Sequence, residues 1–366
     1  MEPVEGLLPI FLTRLTPSST YNFRSRPSGP AAGDEGVTTM KRALMLALFG
    51  FVAGEALAGG SNYGVAPGSR DVAGRITEWS VPTPRFARDP APAPDGNIYI
   101  AVMNGNRIAR FDTRARTFKE WELPAGAQPH GLVVAKDGKV FYTGNGNGTI
   151  GELDPTTGKV VEHKTPSGGG GPHTAVLDDA GNVWFTGQSG GYLGKLDRSN
   201  GTIQEYPMPG GPYGLAIDQR GYVWVCRMGA NALGRLDPKT GKVDEVPTGS
   251  GTRPRRVATA PDGTLWVTYY GTGMLAKVDP VAMKVVKTYQ MPAGSRGPYA
   301  VTVDGAGRVW ANEIDTDTVA LFDPKTEKFR VFELPSRGAG IRKAIVDGQG
   351  RYWYMGSHNG KLGVIE

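Results

Sequence analysis

Seven side chains able to bind an anion or move a proton stand at one recurring place in this sequence: Arg88, His130, His173, Tyr213, Arg255, Tyr299 and Arg342. Each opens a short apolar run, at one fixed distance ahead of a glycine, and five of them directly follow a proline. A second recurring place, fourteen residues further on, reads Val102, Gly144, Gly187, Arg227, Tyr269, Glu313 and Gly356. Guanidinium forks and aromatic faces recognise carboxylates and other oxyanions, while imidazoles and a carboxylate supply proton transfer. The set therefore predicts a pocket for an anionic or hydrogen-bond-rich small molecule. Arg88, Tyr213, Arg227, Arg255, Tyr269, Tyr299 and Arg342 are its binding groups, and Glu313, His130 and His173 are the groups with catalytic capacity. Arg256 and Lys343, one residue beyond the first ring, add to its positive field. Polar residues in such a ring also occur simply to hold water, so a non-catalytic binding or scaffolding protein is the competing reading. Glu313 begins the stretch Glu-Ile-Asp-Thr-Asp, whose oxygens suit Mg²⁺ or Ca²⁺; an acid among arginines equally forms ion pairs. His163 and His358 fall off the ring, and the lone Cys226, in Val-Trp-Val-Cys-Arg, reads as an inert strand thiol.

What positions such a ring is a repeat. An aromatic recurs at Tyr99, Phe141, Trp184, Trp224, Trp266, Trp310 and Trp353, at intervals of 40 to 44 residues. A turn ending in glycine precedes each one, as in Pro94-Asp95-Gly96 and Asp179-Ala180-Gly181, where glycine supplies the positive φ of a tight hairpin. A second turn has the form Asp154-Pro155-Thr156-Thr157-Gly158 or Asp237-Pro238-Lys239-Thr240-Gly241, the chemistry of a type I turn. A polar–aromatic strand ending in proline follows, as in Glu120-Trp121-Glu122-Leu123-Pro124. Each repeat thus holds four short strands, here named a to d from the axis outward, and makes one blade of a β-propeller. Seven landmarks predict an all-β, seven-bladed propeller over residues 75–366. The last repeat stops after its third strand, and Arg75-Ile76-Thr77-Glu78-Trp79-Ser80-Val81-Pro82 has the outer-strand pattern. The N-terminal strand is expected to complete the last blade and leave no open seam. Alternating strand direction puts both rings on the face formed by the d–a and b–c loops.

The 54 Gly and 28 Pro punctuate short apolar runs, as an all-β chain with many turns requires. Residues 1–58 hold five basic and five acidic residues, so the net charge of +6 belongs to the remainder. That balance favours anionic partners; with no Lys/Arg block, nucleic acid is not expected. Met40-Lys41-Arg42, an apolar run from Ala43 to Ala53, and Ala56-Leu57-Ala58 form a signal peptide over 40–58, too short to span a bilayer. Its position predicts translation from Met40, with residues 1–39 a mis-assigned extension. Residues 59–74 read as a flexible leader, and the mature protein as an exported monomer, periplasmic or secreted.

The motifs Gly-Pro-(His/Tyr)-Gly, Asp-x-x-Gly-x-Val-Trp-(Phe/Val)-Thr and Leu-Gly-(Lys/Arg)-Leu-Asp-Pro resemble those of the virginiamycin B (streptogramin B) lyase family over residues 75–366. The resemblance implies a seven-bladed propeller that opens a cyclic depsipeptide by Mg²⁺-assisted elimination at its ester, with a metal polarising the ester and a His moving the proton. The family has Glu-Pro-His before one inner strand and Trp-Phe-Thr-Glu after it. Here these read Gly297-Pro298-Tyr299 and Trp310-Ala311-Asn312-Glu313, and the other catalytic His falls on Arg255. Only Glu313 is retained, so the resemblance implies the fold more firmly than the reaction. A rearranged lyase would draw on His130 and His173.

Overall fold

The computed structural model describes residues 62–294 and 297–366, all but one short 3-10 turn (Met103–Gly105) being strands and connecting turns. The expected extension (1–39) and signal segment (40–58) lie outside the described residues. Seven four-stranded antiparallel sheets are present, six of them in simple a-b-c-d order. The inner strands are Ala87–Pro92, Pro129–Val134, Pro172–Leu177, Pro212–Ile217, Pro254–Thr259, Pro298–Val303 and Ile341–Val346. Each touches the next, and the first touches the last, so the ring closes as a seven-bladed propeller. No helix among the described residues is long and apolar enough to cross a membrane.

The predicted seam is observed. Ile76–Ser80 pairs antiparallel with Lys361–Ile365 as the outer strand of the seventh blade. Trp79 reinforces it from one face, its ring 6.1 Å from Trp353 and 4.7 Å from Phe111.

The landmark motifs have packing reasons. Trp184, Trp224 and Trp353 are buried on strand b and donate their indole N–H to Asp178, Asp218 and Asp347 of the preceding turn, at 3.1, 3.0 and 2.8 Å. The same carboxylates accept backbone N–H groups of that turn, so one Asp fixes the hairpin and the aromatic together. The glycine of the Leu-Gly motif on strand c lies beneath an aromatic of strand b. A Cβ at Gly151, Gly194 or Gly363 would come within about 2 Å of the ring of Tyr142, Phe185 or Tyr354.

Residues 62–74 depart from the expectation of a flexible leader. They run across the face of the a–b turns and are tied to blades on both sides of the channel. Leu177 N–H donates to Asn62 O (2.9 Å) and Ile217 N–H to Asn62 Oδ1 (2.7 Å). Further along, Gly68 N–H donates to Asp347 O and Gly305 N–H to Gly68 O. Ties of this kind, most of them between backbone groups, leave no apolar periodicity in the sequence. An apolar cavity of about 230 Å³ lies under this strap, lined by Val65, Pro67, Val257, Ala258 and Val303.

Candidate functional site: a cationic channel mouth

The ring owes its geometry to a β-bulge repeated in every blade. In the second blade Pro129 pairs with Gly144 and Leu132 with Tyr142, so His130 and Gly131 face the single residue Thr143. The same two-against-one shift recurs in the other six inner strands. A bulge re-aims side chains that a flat strand would send to opposite faces, and here it brings two consecutive residues to the channel. The residue opposite the bulge staples it. Thr143, Thr186 and Thr268 accept the bulge N–H of Gly131 (2.7 Å), Thr174 (3.2 Å) and Arg256 (3.2 Å). Each hydroxyl donates in turn to the next blade's ring carbonyl, of His173, Tyr213 or Tyr299, at 2.8 Å. Asn312 does the equivalent between Ala300 N–H (3.2 Å) and Ile341 O (3.0 Å). Cys226 takes the stapling position in the fourth blade; it is fully buried, and burial pushes its thiol pKa up, which makes it a poor nucleophile.

Two rungs of side chains result. The outer rung holds the seven predicted residues. Arg255 Nη2 donates to both Tyr299 Oη (2.8 Å) and Tyr213 Oη (3.0 Å), and the two hydroxyls hydrogen-bond each other. Arg342 Nη1 reaches Tyr299 Oη at 3.3 Å, and its Nη2 lies 3.2 Å from His358 Nε2. Arg255 also stacks over the rings of Tyr213, Tyr299 and Tyr270 at 4.2, 4.2 and 4.6 Å. Arg88 bonds His130 Nε2, whose Nδ1–H donates to His173 O at 3.1 Å. The inner rung holds a buried charge cluster in which Arg256 and Lys343 lie 3.8 and 3.6 Å from the carboxylate of Asp89, itself 0% exposed. Arg256 Nη1 donates to Thr174 Oγ1 at 2.6 Å. Tyr63 of the strap meets Lys343 Nζ at 4.3 Å from its ring centroid and shares a small cavity with Arg256 at the far end.

Electrostatics follow from this crowding. Burial, then Arg88, keeps His130 well below its ordinary value, and burial, then Arg256, does the same for His173. Both are neutral imidazoles, and both nitrogens of His130 are engaged. Burial opposes ionisation of Tyr299, but Arg255, Arg256 and Arg88 outweigh it and bring the phenol down to about 7. Burial raises Tyr213, its partner. The Nε atoms of Arg88, Arg255 and Arg342 are buried without a hydrogen-bond partner.

The second predicted ring does not converge on the channel. Arg227 turns to the outer strand, paired with Glu245 and donating to Pro209 O at 2.6 Å. Tyr269 packs in the apolar interior beside Cys226, Val267 and Leu265. Glu313, buried at the end of its strand, accepts the N–H of Ala293 at 3.1 Å in a narrow cleft lined by Met291, Pro292 and Thr318. No group of three His, Cys, Asp or Glu residues able to hold a metal occurs among the described residues. The charged side chains that do meet in the channel are the cations Arg88, Arg255, Arg342, Arg256 and Lys343 with the single carboxylate of Asp89. That donor set does not fit the Mg²⁺ implied by the resemblance, because a divalent ion needs several carboxylate or carbonyl oxygens turned to one point.

Three contributors were missed. Phe86, at φ 52°, lies between the guanidiniums of Arg88 and Arg342, 5.0 and 5.4 Å from its ring, and stacks on His358. Tyr270 meets Tyr299 edge-on. His358, expected to be incidental, contacts Arg342. Phe86, Tyr270 and His358 sit on loops, outside the strand register that revealed the ring; a shared displacement from the second ring was the available signal for Tyr270 only.

Solved structures with this fold include a streptogramin B lyase (TM-score 0.74, 23% identity, 80% of this chain and 97% of that one). A virginiamycin B lyase from Staphylococcus aureus aligns with TM-score 0.73 and 19% identity over 80% of this chain and 99% of that one. Kuenenia stuttgartiensis hydrazine synthase aligns more loosely, with TM-score 0.56 and 17% identity over 63% and 74% of the two chains. Among curated proteins no sequence match reaches significance. The model of the Virginiamycin B lyase family matches residues 65–210 and 125–366, which together span the propeller. The chain belongs to the virginiamycin B lyase family.

Proposed function

We propose that the channel mouth binds a small molecule through a carboxylate or comparable oxyanion, with Arg88, Arg255 and Arg342 as its clamp. The observation that carries this is the outer rung itself: three guanidiniums, two phenols and two imidazoles, with no carboxylate on the rung. Burying that much like charge is costly unless a counter-ion offsets it. The setting is extracytoplasmic, supported by the signal pattern at 40–58, and the protein acts as a monomer.

Metal-assisted elimination at an ester is the second reading, favoured by family membership. Against it stand Gly297, Tyr299 and Arg255 at three of the four family positions, and the cationic donor set. Two assays separate the readings. Sulfate, compared with chloride at matched ionic strength, raises the melting temperature of the wild type saturably, and Arg255→Ala or Arg342→Ala abolishes the effect. Incubation with Mg²⁺ and a streptogramin B gives no linear product by mass spectrometry. A linear product, or sulfate stabilisation unchanged in both variants, would overturn the anion-binding assignment.

A further inference from the structure

Three donors converge on one phenolic oxygen. Tyr299 Oη receives Arg255 Nη2 and Arg342 Nη1, and it is hydrogen-bonded to the Tyr213 hydroxyl. Tyr213 Oη in turn already accepts from Arg255. Guanidinium only donates, and a neutral phenol brings one proton of its own. With both phenols neutral, Tyr299 donates to Tyr213, and the Tyr213 proton then finds no acceptor among the described residues. With Tyr299 ionised, Tyr213 donates to it, both arginines donate to it, and the one phenolic proton left on the pair has an acceptor. A phenolate has the lone pairs for all three.

The surroundings agree from every element packed against the ring. Arg255 and Arg256 come from the fifth blade, Arg342 from the seventh, Tyr213 from the fourth, and Tyr270 meets Tyr299 edge-on. Arg88 contributes from the first blade by its field. The carboxylate of the inner rung, Asp89, is committed to Arg256 and Lys343, and Asp315 acts on the rim at His358.

We propose that Tyr299 is the channel's internal counter-anion, and that an external anion binding to Arg255 and Arg342 takes over this role while Tyr299 picks up a proton. The inference rests on the anion-binding reading above. One proton enters from solvent and forms the Tyr299 O–H bond; the guanidiniums stay protonated throughout. By linkage, whatever anion binds raises the Tyr299 pKa, and protons tighten anion binding by the same factor. The sign is fixed: below the Tyr299 midpoint the guanidiniums are free for the ligand, and above it the phenolate competes. With the midpoint near 7, coupling to one proton weakens binding about tenfold between pH 6 and pH 8.

The test uses sulfate, whose charge is constant over that range. Calorimetric titration of the wild type at pH 6 and pH 8, at fixed ionic strength, is expected to give about tenfold weaker binding at pH 8. The near-ultraviolet tyrosinate absorbance at pH 8 is expected to fall as sulfate saturates. In Tyr299→Phe the affinity becomes the same at both pH values, at or above the wild-type level at pH 6. Binding of equal strength at both pH values in the wild type, or an unchanged tyrosinate signal on saturation, would overturn the coupling while leaving the anion site standing. Absence of saturable sulfate binding to the wild type at pH 6 would overturn the anion site, and the coupling with it. If Tyr299→Phe fails to fold, the wild-type absorbance titration decides the matter alone.

Discussion

Thr143, Thr186 and Thr268 each solve a problem that the bulge creates. A bulge frees an N–H from the ladder, and a buried unpaired N–H costs about 1–3 kcal/mol. The threonine hydroxyl accepts that N–H and donates to the adjacent blade, so one side chain fixes a ring residue and joins two blades. Thr186→Val removes both bonds without changing shape much, and a loss of about 1–3 kcal/mol is expected in urea denaturation; a variant as stable as wild type would show that water replaces the hydroxyl. The ring residues were legible because their spacing from the turn glycines is fixed. Their aim was not, because two-against-one pairing leaves no mark in a pattern of period two. The second ring failed for the same reason: counting places Arg227, Tyr269 and Glu313 beside the bulge, but regular pairing turns them toward the outer strand or the core.

At the level of elements, the four-stranded blade and its closing strand could be read from sequence because each strand carries its own turn chemistry. The seventh blade depends on Ile76–Ser80, which covers an edge that would otherwise be open. A chain beginning at Thr83 loses this strand and the Trp79 contacts. It is expected to lose a single cooperative unfolding transition and to aggregate, as seen by calorimetry and light scattering; a monomer with wild-type cooperativity would refute the closure argument. The strap at 62–74 was not legible. Its Gly- and Pro-rich sequence has no period, and the contacts that pin it, such as those of Asn62 with Ile217, join residues 155 positions apart.

The whole molecule gathers cations at one end of a channel and neutral imidazoles beside them. Because His130 and His173 titrate well below their ordinary value of 6.5 when folded, the unfolded chain binds more protons than the folded one just below that pH. Stability therefore falls as pH drops below about 6.5, with a slope of up to about 1.4 kcal/mol per pH unit for each histidine. Urea midpoints between pH 7 and pH 5 measure this, and His130→Gln with His173→Gln is expected to flatten the slope; an unchanged slope would mean that carboxylates control it. The fold and its family were plain from repeat and motif, whereas the balance between a metal centre and an anion clamp depends on which side chains the bulges bring together. Crystals soaked separately in selenate and in Mn²⁺ test that balance directly. An anomalous selenium peak is expected among Arg88, Arg255 and Arg342, with no manganese peak at Glu313; manganese bound at Glu313 with no selenate in the channel mouth would contradict the anion clamp.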